Sequence, residues 1–204
     1  RPEANVSIFA AAQVASMQTK WWRWLNEESA SFDGIHSTYQ GGYYSQFGVY
    51  RPTSNSKMRS LGRPFNLVSL EALIANIYAE VDPIDDAAPN DQPVSSSTTL
   101  WVDPVDPVGQ PLSVQWLLAG GPIPGATGLS YNPSSLPLSG SWTISVRVVD
   151  ETPWVRDPTI RAQRLTSTRS WTVQFPVPGD VNGDGMVNFA DINIVLGQWL
   201  QTGP

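Results

Sequence analysis

The segment from Asp180 to Asp191 constrains the fold more than any other stretch of this sequence. It reads Asp-Val-Asn-Gly-Asp-Gly-Met-Val-Asn-Phe-Ala-Asp, so oxygen-bearing side chains alternate along its first half and Gly185 stands at the sixth position. A calcium loop of the EF-hand type takes its ligands from the first, third, fifth, seventh, ninth and twelfth positions and needs glycine at the sixth for a sharp turn. The spacing therefore predicts a calcium-binding loop.

Every ligand position of such a loop is filled with a suitable group. Calcium is a hard cation that takes about six to eight oxygen ligands. The candidate metal ligands are Asp180, Asn182, Asp184, the backbone carbonyl of Met186, Asn188 (directly or through water) and Asp191. The alternative interpretation is an ordinary Asn/Asp/Gly turn, but such a turn does not require an acid at the position of Asp191.

The loop ends in Asp191, whereas the general EF-hand motif ends in glutamate. In this respect it resembles the loops of dockerin modules. The resemblance implies that calcium is the bound cofactor, that the C-terminal module has a docking partner, and that the protein is secreted or lies on the cell surface. Millimolar extracellular calcium suits even a weak site of this kind.

A helix is predicted after the loop, from about Phe189 to Leu200. Its apolar residues form one stripe, which consists of Phe189, Ile192, Val195, Leu196 and Trp199. A single small loop-helix unit cannot bury such a stripe alone. We therefore expect either a second repeat beyond Pro204 or docking of the stripe on the β-sandwich that precedes the loop.

Composition excludes several classes of function. The net charge is −6, and residues 64–146 contain no Lys or Arg, so a nucleic-acid partner is not expected. The absence of cysteine excludes disulfides, thiolate metal ligands and a thiol nucleophile. No apolar run approaches the roughly 18 residues that a membrane span requires.

The chain divides by composition into four parts, which together predict a multidomain α+β protein. We expect a first unit over residues 1–86, a linker over 87–97, an antiparallel β-sandwich over 98–176 and a single EF-hand-like loop-helix over 177–204. The linker is predicted because Asp, Pro, Asn and Ser dominate that stretch. The 18 prolines, 16 glycines and 9 tryptophans indicate a turn-rich protein with aromatic cores.

The first unit contains two helical patterns with irregular sequence between them. The stretch from Ser7 to Leu25 has a loose helical period and predicts one helix or two short ones. Glycines and aromatics alternate irregularly over 41–52, which predicts loop and short strand. A clearer helix is expected to start with Ser69 as its cap; its apolar stripe is Leu70, Leu73, Ile74, Ile77, Tyr78 and Val81.

Strand patterns dominate the third part. Apolar and polar residues alternate strictly over 142–148, and the same pattern occurs over 113–118 and 170–175. Short strands separated by Pro/Gly turns are typical of a sandwich, and the early Trp116 is similar to the tryptophan of immunoglobulin-like domains. Asp150, Glu151 and Asp157 are interpreted as loop charges.

The runs Gly41–Tyr44, Gly48–Pro52 and Lys57–Phe65, with the helix that follows them, resemble the end of the catalytic domain of the immunoglobulin-A peptidase family of zinc metallopeptidases. The Trp-rich segment Lys20–Leu25 is also similar to one in that family. The resemblance covers about residues 1–86. It implies a secreted enzyme that hydrolyses peptide bonds, with a protein or peptide as the substrate of a longer parent.

The zinc motif HExxH, which would supply two ligands and a general base, is absent from this chain. Zinc is therefore expected only in the longer parent, and no catalytic residue is assigned here. The resemblance implies Met58 as the candidate Met-turn and Tyr43 and Tyr44 as candidate walls of the substrate cleft. Met58 is equally explained as a buried packing residue, and the two tyrosines as core or turn aromatics. His36 is interpreted as a surface histidine or one with satisfied hydrogen bonds.

Two functions are consistent with the sequence. The first is the C-terminal part of a secreted zinc metallopeptidase, with an accessory immunoglobulin-like domain and a calcium-binding attachment module. The second is a non-catalytic cell-surface binding or scaffolding protein with a calcium-stabilised, dockerin-like module. An upstream HExxH helix and zinc-dependent cleavage would distinguish the first from the second.

Overall fold

A computed structural model describes residues 3–29 and 34–201 of the chain. The protein is mixed α+β, with α-helices and several antiparallel sheets. The chain forms two compact units: one contains the described residues up to Val81 and those from Thr152 to Leu165, and the other contains 82–151 and 166–201. Within the described residues, no helix is long and apolar enough to cross a membrane.

The first unit begins with short helical segments. Helix α1 spans Ala11–Ser16 and a 3₁₀ turn spans Trp22–Trp24, so of the two predicted alternatives, one helix or two short ones, the structure has the second. Strands β1 (Glu28–Ser29) and β2 (Gly34–Ile35) form one small antiparallel sheet. Strands β3 and β4 form the second, a hairpin in the stretch that was predicted as loop and short strand; their bounds are Tyr39–Gly42 and Ser45–Arg51.

Helix α2 spans Leu67–Glu80 and starts earlier than predicted. Asn66 caps it by accepting the backbone N–H of Ser69 at 2.9 Å, so Ser69 is not the cap. An asparagine that accepts an N–H of the first turn is among the strongest capping residues, which explains the earlier start. The predicted stripe also differs, because Ile77 is 59% exposed while Leu67 and Val68 are buried.

The second unit contains two sheets. Strands β5 (Ile84–Ala87), β7 (Leu100–Pro104) and β10 (Ser130–Tyr131) form a three-stranded sheet in the order β10-β7-β5. The five-stranded sheet has the order β6-β12-β11-β8-β9; its strands are β6 Val94–Ser95, β8 Ser113–Leu118, β9 Gly121–Pro122, β11 Gly140–Val149 and β12 Thr166–Phe175. All pairs are antiparallel except β6 with β12.

One hydrophobic core receives side chains from both sheets of the second unit. The predicted alternation is confirmed in β12, where Trp171, Val173 and Phe175 are buried. It holds in β11 for Ile144, Val146 and Val148, whereas Trp142 near the start of that strand is 38% exposed. Trp116 is fully buried in β8, and its ring lies 5.6 Å from that of Trp171.

The predicted linker over 87–97 is part of the second unit in the structure. Its N-terminal end completes β5, and Val94 and Ser95 form β6 beside β12. Ala88 is buried and donates its N–H to the carbonyl of Trp101, while Trp171 Nε1 donates to the Ala88 carbonyl at 3.1 Å. The composition misled the prediction because exposed polar side chains of short strands resemble those of a connector.

The predicted sandwich over 98–176 is not continuous, since residues 152–165 belong to the first unit. Helix α3 occupies Pro158–Arg164 in this segment, and Asp157 caps it by accepting the N–H groups of Thr159 and Ile160. Asp157 also forms an ion pair with Arg23 at 2.8 Å. Asp157 is therefore a helix cap with a partner and not a simple loop charge.

Candidate calcium loop and a cavity in the first unit

The loop from Asp180 to Asp191 is organised around its first carboxylate. Asp180 Oδ1 accepts the backbone N–H groups of Gly183 at 2.8 Å and Asp184 at 3.2 Å, and its Oδ2 accepts that of Gly185 at 2.8 Å. Gly183 and Gly185 have φ angles of +75° and +87°, which glycine adopts without steric cost. The loop chain therefore winds tightly around the side chain of its first residue.

The last carboxylate closes the loop. Asp191 Oδ1 accepts the N–H groups of Val181 at 2.7 Å and Asn182 at 3.1 Å, and Oδ2 accepts that of Asn188 at 2.8 Å. The N–H groups of Asn188 and Asn182, together with that of Val181, lower the pKa of the Asp191 carboxyl, against burial, which acts to raise it. Asp191 is only 2% exposed and is held in its charged form.

The predicted ligands keep acceptor capacity for a cation. A carboxylate has about four lone-pair positions. Asp180 and Asp191 each use three of these for loop N–H groups, while Asp184 accepts one from the Met186 N–H and one from the Asn182 amide. The remaining acceptor positions on these carboxylates fit the preference of a hard cation for oxygen ligands.

The asparagines are necessary for this fit. Asn182 Oδ1 accepts the Asp184 N–H at 2.9 Å and Asn188 Oδ1 accepts the Ala190 N–H at 2.7 Å, so each amide oxygen keeps one lone pair. In residues 3–29 and 34–201, no group of three or more His, Cys, Asp or Glu side chains is arranged to hold a metal ion. A calcium site here thus depends on the amide oxygens and the Met186 carbonyl as well as the acids.

The helix predicted after the loop is present as α4. It spans Phe189–Gln201, so its bounds agree with the predicted ones within one residue. Asp191 lies in its first turn. The predicted apolar stripe is exposed: Phe189 by 75%, Ile192 by 49%, Val195 by 48%, Leu196 by 50% and Trp199 by 79%. The stripe therefore presents a large apolar surface to solvent.

A cavity of about 750 Å³ lies in the first unit, beside the β3–β4 hairpin. Tyr43, Tyr44 and Met58 line it together, so the structure brings the three candidate residues of this unit into one place. Tyr43 is 51% exposed and Met58 is 61% exposed. Met58 is therefore not a buried packing residue, which was its alternative interpretation, whereas Tyr43 and Tyr44 lie in the turn of the hairpin, as their alternative interpretation as turn aromatics expects.

His36 does not belong to that cavity. It is fully buried, its Nδ1 lies 3.0 Å from the Glu27 carbonyl, and its Nε2 accepts the backbone N–H of Leu67 at 3.2 Å. Burial lowers the pKa of the imidazole, more strongly than the Glu27 carbonyl and charge raise it. The expectation of a histidine with satisfied hydrogen bonds is confirmed, and the ring is neutral.

Sequence reasoning missed the role of Glu71. Its Oε2 accepts Trp24 Nε1–H at 2.6 Å, and its Oε1 accepts the backbone N–H groups of Arg156 at 2.7 Å and Asp157 at 2.9 Å. No local pattern identifies this residue, because its partners lie 47 to 86 positions away. Glu71 joins α2, the Trp-rich segment and the entry to α3 within the first unit.

Comparison of the chain with protein-family models, with curated proteins and with solved structures finds no match.

Proposed function

We propose that the loop Asp180–Asp191 binds one calcium ion, and that this loop and α4 form the attachment module of a secreted or cell-surface protein. The observation that carries the proposal is that carboxylates at both ends of the loop gather its backbone N–H groups. This arrangement leaves about one lone-pair position on each of these carboxylates for the cation. Calcium would be held by these acids with Asn182, Asn188 and the Met186 carbonyl.

Calcium would supply the attractive charge that offsets repulsion within the loop. Asp180, Asp184 and Asp191 lie within one twelve-residue segment that has no basic residue. Three like charges at such short separation repel one another, and a divalent cation among them reverses the sign of that interaction. The ion would therefore stabilise the loop and the first turn of α4, where Asp191 lies.

An attachment role is supported by the exposed apolar stripe of α4. Trp199 is 79% exposed and Phe189 is 75% exposed, and both belong to one contiguous apolar stripe of α4, which is the kind of patch that marks a contact surface. Binding of calcium to the loop would fix the orientation of this stripe. The ion would thus order the surface rather than take part in any chemistry.

Hydrogen exchange of the α4 amides in the 204-residue chain tests the proposal. With calcium at about 100 times its Kd, linkage stabilises the bound form by about 2.7 kcal/mol, which slows exchange by about 100-fold. Magnesium at equal concentration should have a smaller effect, and Asp180→Ala should abolish the calcium effect. Equal exchange rates with calcium and with a chelator would overturn the proposal. Asp106→Asn serves as the matched control, because Asp106 is an exposed acid outside the loop.

A second candidate function is favoured by the cavity of the first unit. The segments 41–52 and 57–65, which carry the peptidase resemblance, both contribute lining residues to it. On this proposal the chain is the C-terminal part of a zinc metallopeptidase, the hairpin forms one wall of a peptide cleft, and the second unit is an accessory immunoglobulin-like domain. Zinc would be bound in the longer parent.

The parent protein decides between this function and a non-catalytic scaffold. An HExxH helix encoded upstream of Arg1, and zinc-dependent cleavage of a protein substrate that is lost when its glutamate is replaced by glutamine, are the expected results. A parent without that helix would contradict the peptidase function. It would leave the calcium module as the function of the C-terminal part.

A further inference from the structure

The cavity beside the β3–β4 hairpin contains two arginines that share one acceptor. Arg51 Nε and one of its terminal nitrogens donate to the Ser54 carbonyl at 3.2 and 3.0 Å, and an Arg59 terminal nitrogen donates to the same oxygen at 2.8 Å. Both arginines line the cavity. Two guanidinium groups are thus held side by side by one backbone oxygen.

Neither arginine forms an ion pair with an acid within the described part of the chain. The ion pairs found there involve other arginines, and the hydrogen bonds of Arg51 and Arg59 all go to backbone carbonyls. Burial, together with the positive charge of Arg59, lowers the pKa of Arg51. Glu3 also lines the cavity, so two positive charges there stand against one negative charge.

Arg51 and Arg59 have more N–H donors than the hydrogen bonds they make. A guanidinium carries five N–H donors. Arg51 uses four, for the carbonyls of Gln40, Gly41 and Ser54, whereas Arg59 uses one. Arg51 is therefore mainly a clamp on the hairpin, and Arg59 has a planar set of free donors of the kind that binds a carboxylate through two parallel hydrogen bonds.

The tip of the β3–β4 hairpin presents two tyrosine side chains to the cavity, and the backbone of both tyrosines is in an unfavourable conformation. Tyr43 and Tyr44 form a two-residue turn between the paired Gly42 and Ser45, with φ angles of +48° and +60°. Such a turn favours Asn-Gly, because both central residues need positive φ. Two tyrosines there are strained, and strain of this kind is concentrated at ligand-binding sites.

The geometry points to a carboxylate-binding site in this cavity, in which Arg59 and Arg51 bind an acidic side chain of a peptide and the tyrosines contact its neighbouring residues. The cavity volume falls in the range of about 300–1,000 Å³ that is typical of small-ligand sites. This inference does not depend on calcium. It names a ligand class for the cleft wall of the second candidate function.

Peptide binding to the 204-residue chain tests the site without any cleavage. The probe is an acetylated, amidated tetrapeptide with one Glu flanked by Ala, and its control has Gln in place of Glu. In ¹H–¹⁵N NMR titrations we expect the Glu peptide to shift the amides of Gly41, Tyr43 and Arg59 and to bind about tenfold more tightly than the Gln peptide. Because no zinc site is needed, loss of the peptidase function would not affect the result.

Arg59→Gln should weaken the Glu peptide about tenfold without changing the unfolding temperature, since Arg59 is exposed and makes a single hydrogen bond. Arg169→Gln removes the same charge from an exposed position of the second unit and should leave binding unchanged. Equal affinity for the two peptides, or full affinity in Arg59→Gln, would overturn the inference. Inorganic phosphate provides a third arm, and binding of phosphate without binding of the Glu peptide would overturn the carboxylate assignment.

Discussion

Asp191 Oδ1 accepts the backbone N–H of Val181 at 2.7 Å, although ten residues separate them. This hydrogen bond joins the two ends of the candidate calcium loop. The same carboxylate group accepts the N–H groups of Asn182 and Asn188. One buried acid thus fixes the path of the chain at both ends, which reduces the ordering that cation binding would require.

Asp191→Asn should open the loop even in the presence of a chelator. The replacement puts an NH₂ group in the place of one carboxylate oxygen, so a donor then faces a backbone N–H. Hydrogen exchange at Val181, Asn182 and Asn188 should accelerate about tenfold or more, which corresponds to the loss of roughly one charged hydrogen bond. Asp184→Asn is the control within the loop, since Asp184 does not bind these amides, and unchanged exchange in Asp191→Asn would contradict the closing role.

The first unit should lose stability as the pH falls below about 7. His36 is neutral in the fold and its pKa is lowered, so the unfolded chain binds a proton at higher pH than the folded chain does. The contribution of neutral His36 to the free energy of unfolding is complete above the ordinary histidine pKa near 6.5. This contribution is lost as the pH falls towards the lowered pKa of the folded state, with a slope of at most about 1.4 kcal/mol per pH unit.

His36→Gln isolates this effect, because the chain contains one histidine and carboxylates titrate at lower pH. Urea unfolding of the first unit can be followed by the indole N–H signals of Trp21 and Trp24 at pH 7.5, 6.5 and 5.5. The free energy of unfolding of the His36→Gln variant should be the same at these three pH values. A wild-type profile that is equally flat would refute the assignment of a neutral acceptor nitrogen.

Glu71→Gln should destabilise the first unit by about 1–3 kcal/mol. The glutamine keeps one acceptor oxygen but turns a donor towards one of the three N–H groups that Glu71 now accepts. Glu80→Gln is the matched control, since Glu80 is an exposed acid of the same helix. The same urea assay checks both, and a double-mutant cycle with Trp24→Phe should show coupling of about 0.5–3 kcal/mol.

Tyr43→Asn with Tyr44→Gly should stabilise the first unit while weakening peptide binding. Asn-Gly is the favoured sequence for a turn with two positive φ angles, and a non-glycine residue in that region costs roughly 1–2 kcal/mol. We expect a higher urea midpoint for the first unit and smaller NMR shifts with the Glu peptide. A lower midpoint would show that the tyrosines stabilise the hairpin rather than strain it.

Local patterns in the sequence predicted the elements whose causes are local. The α4 bounds, the strand alternation in β12 and the loop carboxylates follow from the periodicity and spacing of neighbouring residues. The capping of α2 by Asn66 was missed because two adequate capping residues, Asn66 and Ser69, lie three positions apart. Propensity alone does not choose between them.

Contacts between distant residues could not be predicted. The shift of residues 152–165 into the first unit follows from hydrogen bonds of Glu71 and Arg23 to residues more than 80 positions away. The pairing of Arg51 with Arg59 depends on the path of the chain around Ser54, which no periodicity encodes. Composition likewise could not separate the short strands β5 and β6 from a linker.

Calorimetric titration of calcium into the 204-residue chain shows whether the loop Asp180–Asp191 binds the ion. We predict one calcium ion per chain, with binding lost in Asp191→Asn and retained in Asp106→Asn, because only the first of these replaces a loop carboxylate. Titration of the wild-type chain at millimolar calcium without binding heat and without any change in the NMR signals of the loop would contradict it.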